Sequence, residues 1–196
     1  MSGRDRIMGR VKEALRNRET PEHPGDFEGW RPEAAEGTPV DQLASMLEAA
    51  GAEVMRHSSA ATAGVWLRRF ANEFESATIG VGVPHELRPP IRTQGAHEAA
   101  LGVSMARAAI AETGSLVMSA RDGRKSQLLA PTHVVFVHAA DVHATFRDAL
   151  LTIRDDLPSA IGLHSGPSKS ADIAQTLVTG VHGPGRLIAV LIEGEG

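Results

Sequence analysis

Gly166-Pro167-Ser168-Lys169-Ser170-Ala171-Asp172-Ile173 gathers a turn, hydroxyls, an ammonium and a carboxylate into one short stretch. Gly166-Pro167 breaks a preceding strand, Ser168 or Ser170 can cap a first turn, and Ile173, Leu177 and Val178 recur at helical spacing. The pattern predicts a helix over 170–179. Such a helix start points free backbone N–H groups and a positive dipole end at a carboxylate or phosphate, and Lys169 adds a full charge. Asp172 competes for the same dipole end, and ordinary capping needs no ligand at all. Both readings stay open for this loop.

Two further groups could share that chemistry. In Ala111-Glu112-Thr113-Gly114-Ser115 a carboxylate sits beside a glycine that lets the chain turn or approach a ligand closely, with the Thr113 and Ser115 hydroxyls in the same arc. A glycine closing a helix after an exposed glutamate is the plainer reading. His182, in Val181-His182-Gly183-Pro184, offers an imidazole suited to acid–base work near neutral pH, or to hydrogen bonding within its own loop. The candidate set is therefore Glu112 and His182 as catalytic groups, with Thr113, Gly114, Gly166, Ser168, Lys169, Ser170 and Asp172 for ligand binding. Their common target is a small anion, such as a carboxylate or a phosphorylated metabolite.

Other motifs fall away. His133, His138 and His143 are spaced by five, which matches neither one helix face nor one strand face, so no metal site is assigned to them. Gly80-Val81-Gly82-Val83-Pro84-His85 starts like a dinucleotide loop, but His85 stands at the third glycine position after a proline. The chain has no phosphate loop of the Gly-x-x-x-x-Gly-Lys-Ser/Thr type.

The elements that must position these residues alternate between helix and strand. Residues 4–18 read as a short amphipathic helix carrying Ile7, Val11, Ala14 and Leu15, and residues 19–39 as a proline-rich linker anchored by Trp30. Thereafter 40–50, 60–72, 104–112, 141–154 and 170–179 read as helices. Residues 53–56, 77–83, 115–119, 127–130, 133–137, 160–164 and 187–192 read as strands, with a hairpin turn at Asp122-Gly123-Arg124. Continuous apolar strands between helices predict an α/β domain over 40–196. Its sheet is expected to be largely parallel and covered by helices on both faces, in three layers.

Composition narrows the partners. Twenty basic against twenty-four acidic residues give a formal charge of −4, without the basic field that nucleic acid requires. The 196 residues contain no cysteine, so no cysteine-ligated cluster is expected in this chain, and the cofactor is unknown. No apolar run reaches the length of a membrane span and the amino terminus lacks a secretory core, so a cytoplasmic protein is expected.

Read together, Ile110-Ala111-Glu112-Thr113-Gly114-Ser115-Leu116-Val117, Gly166 to Ile173, and Gly180-Val181-His182-Gly183-Pro184 resemble the lactate-utilization protein C family, whose module is the LUD domain. Arg6 to Leu15 is similar to that family's amino-terminal helix, and Leu128-Leu129-Ala130-Pro131-Thr132-His133 to its central strand entry. Lys169 stands where the family usually has arginine, which replaces a bidentate fork by a point charge. The resemblance implies a fold like that of the sugar-phosphate isomerase and CoA-transferase-like superfamily. It also implies a role in oxidising L-lactate to pyruvate with iron–sulfur partner proteins. Two other roles stay open: a non-catalytic assembly or regulatory subunit, and acyl transfer with Glu112 as nucleophile.

Overall fold

A computed structural model of the chain describes residues 2–16, 37–171 and 177–194. The chain divides into two compact units, residues 1–33 and 34–196, and each is described by itself. In the first, α1 (Gly3–Arg16) opens with Ser2 and Asp5 bonding one another reciprocally. Most of the expected linker, including Trp30, lies outside the described residues.

The second unit begins with α2 (Pro39–Ala49), β1 (Glu53–His57) and α3 (Ala60–Phe70). Then come β2 (Ser76–Ile79), β3 (Arg92–Thr93), β4 (Leu101–Met105), β5 (Ala108–Ile110) and β6 (Ser115–Ser119). After α4 (Arg124–Leu128) follow β7 (Thr132–His138), β8 (Val142–His143), α5 (Phe146–Ile153) and β9 (Ile161–His164). A short pair, β10 (Lys169–Ala171) and β11 (Leu177–Thr179), precedes β12 (Arg186–Ile192).

Local chemistry explains the starts of the helices. Thr38 caps α2: its hydroxyl accepts from the Asp41 amide and donates to the Asp41 carboxylate at 2.6 Å, and Pro39 supplies a preset φ at the first helical position. Ser59 and Thr62 form the same reciprocal box at α3.

Six strands form one parallel sheet in the order β1-β12-β7-β4-β2-β3. Alternation along β7 and β12 sorts the core. Val134, Phe136, Ile188, Val190 and Ile192 pack with Leu101 and Val103 under Ala63 and Leu67 of α3. Val135, Val137, Leu187, Ala189 and Leu191 meet Leu43, Ala44 and Leu47 of α2 on the opposite face. Helices therefore cover both faces, as continuous apolar strands require.

Beside α2 in this third layer lies a four-stranded sheet, β8-β5-β6-β9, in which β6 runs antiparallel to both neighbours. It turns Ala109, Leu116 and Met118 toward the six-stranded sheet and Ala108, Ile110 and Val117 toward α5. The second unit is thus a three-layer α/β fold, with α5 added on the outer face of the four-stranded sheet.

Four elements differ from their sequence readings. The expected helix over 104–112 is the end of β4 followed by β5, because pairing to β7 and β6 overrides the helix propensity of its alanines, whose small side chains let two sheets close together. In place of the expected helix over 170–179, Lys169 pairs with Thr179 and Ser170 with Val178 in an antiparallel ladder, and residues 172–176 are not described. The Asp122-Gly123 turn leads into α4 rather than a second strand, with Gly123 at φ +94 and its carbonyl accepting from the Ser126 hydroxyl at 2.6 Å. The helix expected over 141–154 begins only at Phe146, behind β8.

Gly114 adopts φ +59, and a Cβ there would lie 2.5 Å from Cβ of Met46. Gly114→Ala is expected to lower the unfolding free energy by about 2–4 kcal/mol in urea titrations, combining left-handed strain with overpacking. Gly95→Ala, where nothing lies within 4 Å, is expected to stay within about 0.5 kcal/mol. Equal midpoints for the two variants would contradict this account.

Candidate functional site

The turn at 111–115 and the loop at 165–169 meet. The Thr113 hydroxyl donates to Ser115 Oγ at 2.9 Å, and Ser115 Oγ lies 2.8 Å from Ser165 Oγ. Glu112 faces elsewhere: its carboxylate accepts the Phe146 amide at 2.7 Å, satisfying a free N–H at the start of α5.

Gly166 lies against the end of α2, where a Cβ would come within 2.7 Å of the Ala50 carbonyl oxygen. The Lys169 ammonium donates to that same carbonyl, placing a cation at the negative end of the helix. Because β10 replaces the expected helix, no helix N-terminus forms at Ser168 or Ser170. The Ser168 amide instead donates to the Pro184 carbonyl at 2.8 Å, and its carbonyl accepts from the Gly180 amide at 2.8 Å. Asp172 lies outside the described residues.

Those two bonds bring the 180–184 loop against Ser168. His182 is exposed there, on a cavity of about 530 Å³ whose walls also include Leu128, Leu129, Pro131 and Gly183. Pro131 and Gly185 immediately precede β7 and β12, so the cavity opens outside the amino ends of the central parallel strands. The structure therefore joins Ser168 to the His182 loop and Ser115 to Ser165. It directs the carboxylate of Glu112 to α5 and the ammonium of Lys169 to α2.

A polar cluster absent from the sequence reading lies nearby. His133 and Ser104 are fully buried on adjacent strands, with His133 Nε2 2.9 Å from Ser104 Oγ. The register sets His164 opposite Leu116, which faces the six-stranded sheet, so His164 faces it too. The rings of His133 and His164 meet edge to face at 5.8 Å. Burial, reinforced by the nearby His164, pushes His133 down to about 3, and burial also lowers His164. Both are neutral at pH 7. His133 Nδ1 is buried with no hydrogen-bond partner among the described residues. The β4–β7 and β6–β9 registers assemble this cluster, and spacing along the chain gave no signal of it. Among the described residues no group of three or more His, Cys, Asp or Glu side chains is placed to hold a metal.

The family model described as LUD domain matches residues 85–192, more than half of the chain. The chain belongs to the LUD domain family. Similar proteins include "Lactate utilization protein C" of Bacillus licheniformis, 35% identical over 108 residues that cover 51% of this chain and 45% of the relative. The protein of the same name from Bacillus subtilis is 34% identical over 106 residues, covering 50% and 44%. The match thus spans about half the length of these curated relatives. A crystal structure of a DUF162 family protein from Deinococcus radiodurans superimposes with a TM-score of 0.61 at 18% identity, covering 79% of this chain and 96% of that one. That likeness supports the three-layer fold. The matched LUD region contains Ser104, Glu112, His133, His164, Lys169 and His182. No helix among the described residues of this LUD domain chain is long and apolar enough to cross a membrane.

The cluster sets a pH dependence. His133 has a folded value below its ordinary 6.5, so its contribution is complete above pH 6.5 and is lost as the pH falls toward 3. The expected loss is about 1.4 kcal/mol per pH unit for this residue once the unfolded chain is protonated and the LUD domain is not. His133→Gln keeps a hydrogen-bonding group for Ser104 and removes the charge. Urea midpoints measured between about pH 7.5 and 4.5 should fall less steeply in this variant. Parallel profiles would show that His133 does not carry the slope.

Proposed function

We propose that this LUD domain chain serves lactate utilization, supporting the oxidation of L-lactate to pyruvate together with iron–sulfur partner proteins. The reading rests on the shared LUD region and on the name carried by its relatives. Oxidation of lactate removes two electrons and two protons. With no cysteine among the 196 residues, cysteine-ligated clusters that receive the electrons belong to the partners.

The observation that carries the site is the tie between Ser168 and the 180–184 loop, which sets His182 on the 530 Å³ cavity. His182 is the proposed acceptor for the hydroxyl proton, and the Ser168 hydroxyl helps orient the anion. Lys169 spends one of its three N–H donors on Ala50 and supplies a positive charge to the same loop.

Reconstitution of lactate-dependent electron transfer from purified partner proteins, with the chain included or omitted, tests the role. Activity is expected only with the chain present. His182→Ala is expected to lower the rate by about 10²-fold or more, the usual worth of a positioned acid–base group. Undiminished lactate oxidation without the chain would end this reading.

A further inference from the structure

The amino-terminal helix α1 buries none of its residues. Ile7, Met8, Val11 and Leu15 are 64, 46, 46 and 57% exposed, and Ala14 is exposed beside them. At about 100° per residue these side chains fall within about 120° of the helix circumference, a continuous stripe rather than scattered apolar positions. Charge is arranged around that stripe. Lys12 and Arg16 run along one border, Arg6 and Arg10 along the other, and Asp5 and Glu13 lie on the far side. Asp5 is also occupied by Ser2, whose amide and hydroxyl both donate to its carboxylate. Arg4 stands at the head of the stripe, where side chains lean toward the helix start, so its guanidinium reaches beyond the apolar surface. Five basic and two acidic residues give α1 a formal charge of +3, and since the whole chain is −4 the remaining residues carry −7. Cationic excess and an uncovered apolar stripe therefore coincide on one helix.

These features select among occupants. A second copy of the helix would set +3 against +3 along the stripe. A groove on another protein is anchored by aromatic side chains in a charge-depleted centre, whereas α1 has no aromatic residue and carries cations along both borders. An anionic bilayer matches both properties: its acyl boundary takes a shallow apolar strip, and its phosphates take cations on either side. Lysine and arginine stems lie along apolar surface while their charged ends stay at the level of the headgroups. The 14 residues of α1 extend about 21 Å, short of the roughly 30 Å hydrocarbon core, so the helix lies in the plane of the surface. We propose that α1 docks this chain on the surface of an anionic phospholipid membrane. Ile7, Met8, Val11 and Leu15 enter the acyl boundary, and Arg6, Arg10, Lys12 and Arg16 meet the lipid phosphates. The same surface repels the −7 carried by the rest of the chain, which confines attachment to the helix and makes it reversible by salt.

Flotation of the full-length protein with lipid vesicles tests this. Phosphatidylcholine vesicles containing about 40 mol% phosphatidylglycerol are expected to carry about 10-fold more protein than pure phosphatidylcholine vesicles, and raising sodium chloride from about 50 to 500 mM should release most of it. Val11→Asp, a charge in the middle of the stripe, is expected to weaken binding about 10-fold or more, and Arg10→Gln combined with Lys12→Gln by a similar factor. Glu13→Gln, on the far side, should bind at least as well as the unaltered chain. All these variants should keep the same urea midpoint, since no residue of α1 is buried. Equal partition onto neutral and anionic vesicles, or undiminished binding by Val11→Asp, would overturn the proposal. Binding of poly-L-glutamate without binding of vesicles would assign the helix to an acidic protein. A dimer abolished by Val11→Asp, again without vesicle binding, would assign it to a second copy. Either result overturns the lipid reading.

Discussion

The close approach of two glycine turns to the last turn of α2 is the constraint on which the third layer depends. Gly114 touches Met46 and Leu47, and Gly166 touches Ala50 one helical turn later, at distances no Cβ could share. The Lys169 ammonium then closes the contact by binding the Ala50 carbonyl. Since Leu43 and Leu47 of this helix also reach Leu187 and Leu191 in the central sheet, the grip ties the smaller sheet and the β10–β11 ladder to the main one. Gly114, Gly166 and Lys169, singled out in the sequence for ligand binding, thus also make structural contacts with α2.

The two ends of the parallel sheet differ in character. At the carboxyl ends of β1 and β12, Arg56 of β1 bridges Asp41 of α2 and Glu193, and bonds from Thr38 and Arg56 hold Asp41 down at about 2. Paired in this way, those groups brace the helix start against the strand ends. The cavities lie toward the opposite end, where Pro131 and Gly185 lead into β7 and β12 and where His133 sits one residue inside its strand. In open parallel sheets ligands commonly gather at the carboxyl ends. Here the inserted four-stranded sheet brings β9 to this side, where it lines a cavity with α4.

Elements with strong local signals were legible in the sequence. The helix read over 40–50 matches α2 within a residue at each end, and the apolar runs of β7 and β12 announce a sheet buried on both faces. In the second sheet β6 and β9 were read as strands at 115–119 and 160–164, but β5 was not, because Ala106, Ala108, Ala109 and Ala111 read as helix formers when only their neighbours in sequence count. The β10–β11 ladder was hidden for the same reason: capping residues resemble each other whether a helix or a hairpin follows. Site residues suffered most. The partners of Glu112 and Lys169, an amide at 146 and a carbonyl at 50, are remote in sequence, and the Ser104–His133–His164 cluster exists only through strand register.

The strand order also dictates a sequence of events during folding. In the six-stranded sheet β12 lies between β1 and β7, so β1, formed early in the chain, has no ladder to join until β12 has been synthesised and inserted. Closing that loop costs chain entropy before any pairing compensates it, and high contact order slows the search. The nascent protein therefore carries an unpaired, apolar edge on β7 from the completion of that strand at His138 until β12 begins at Arg186, and this is the surface a chaperone would need to shield.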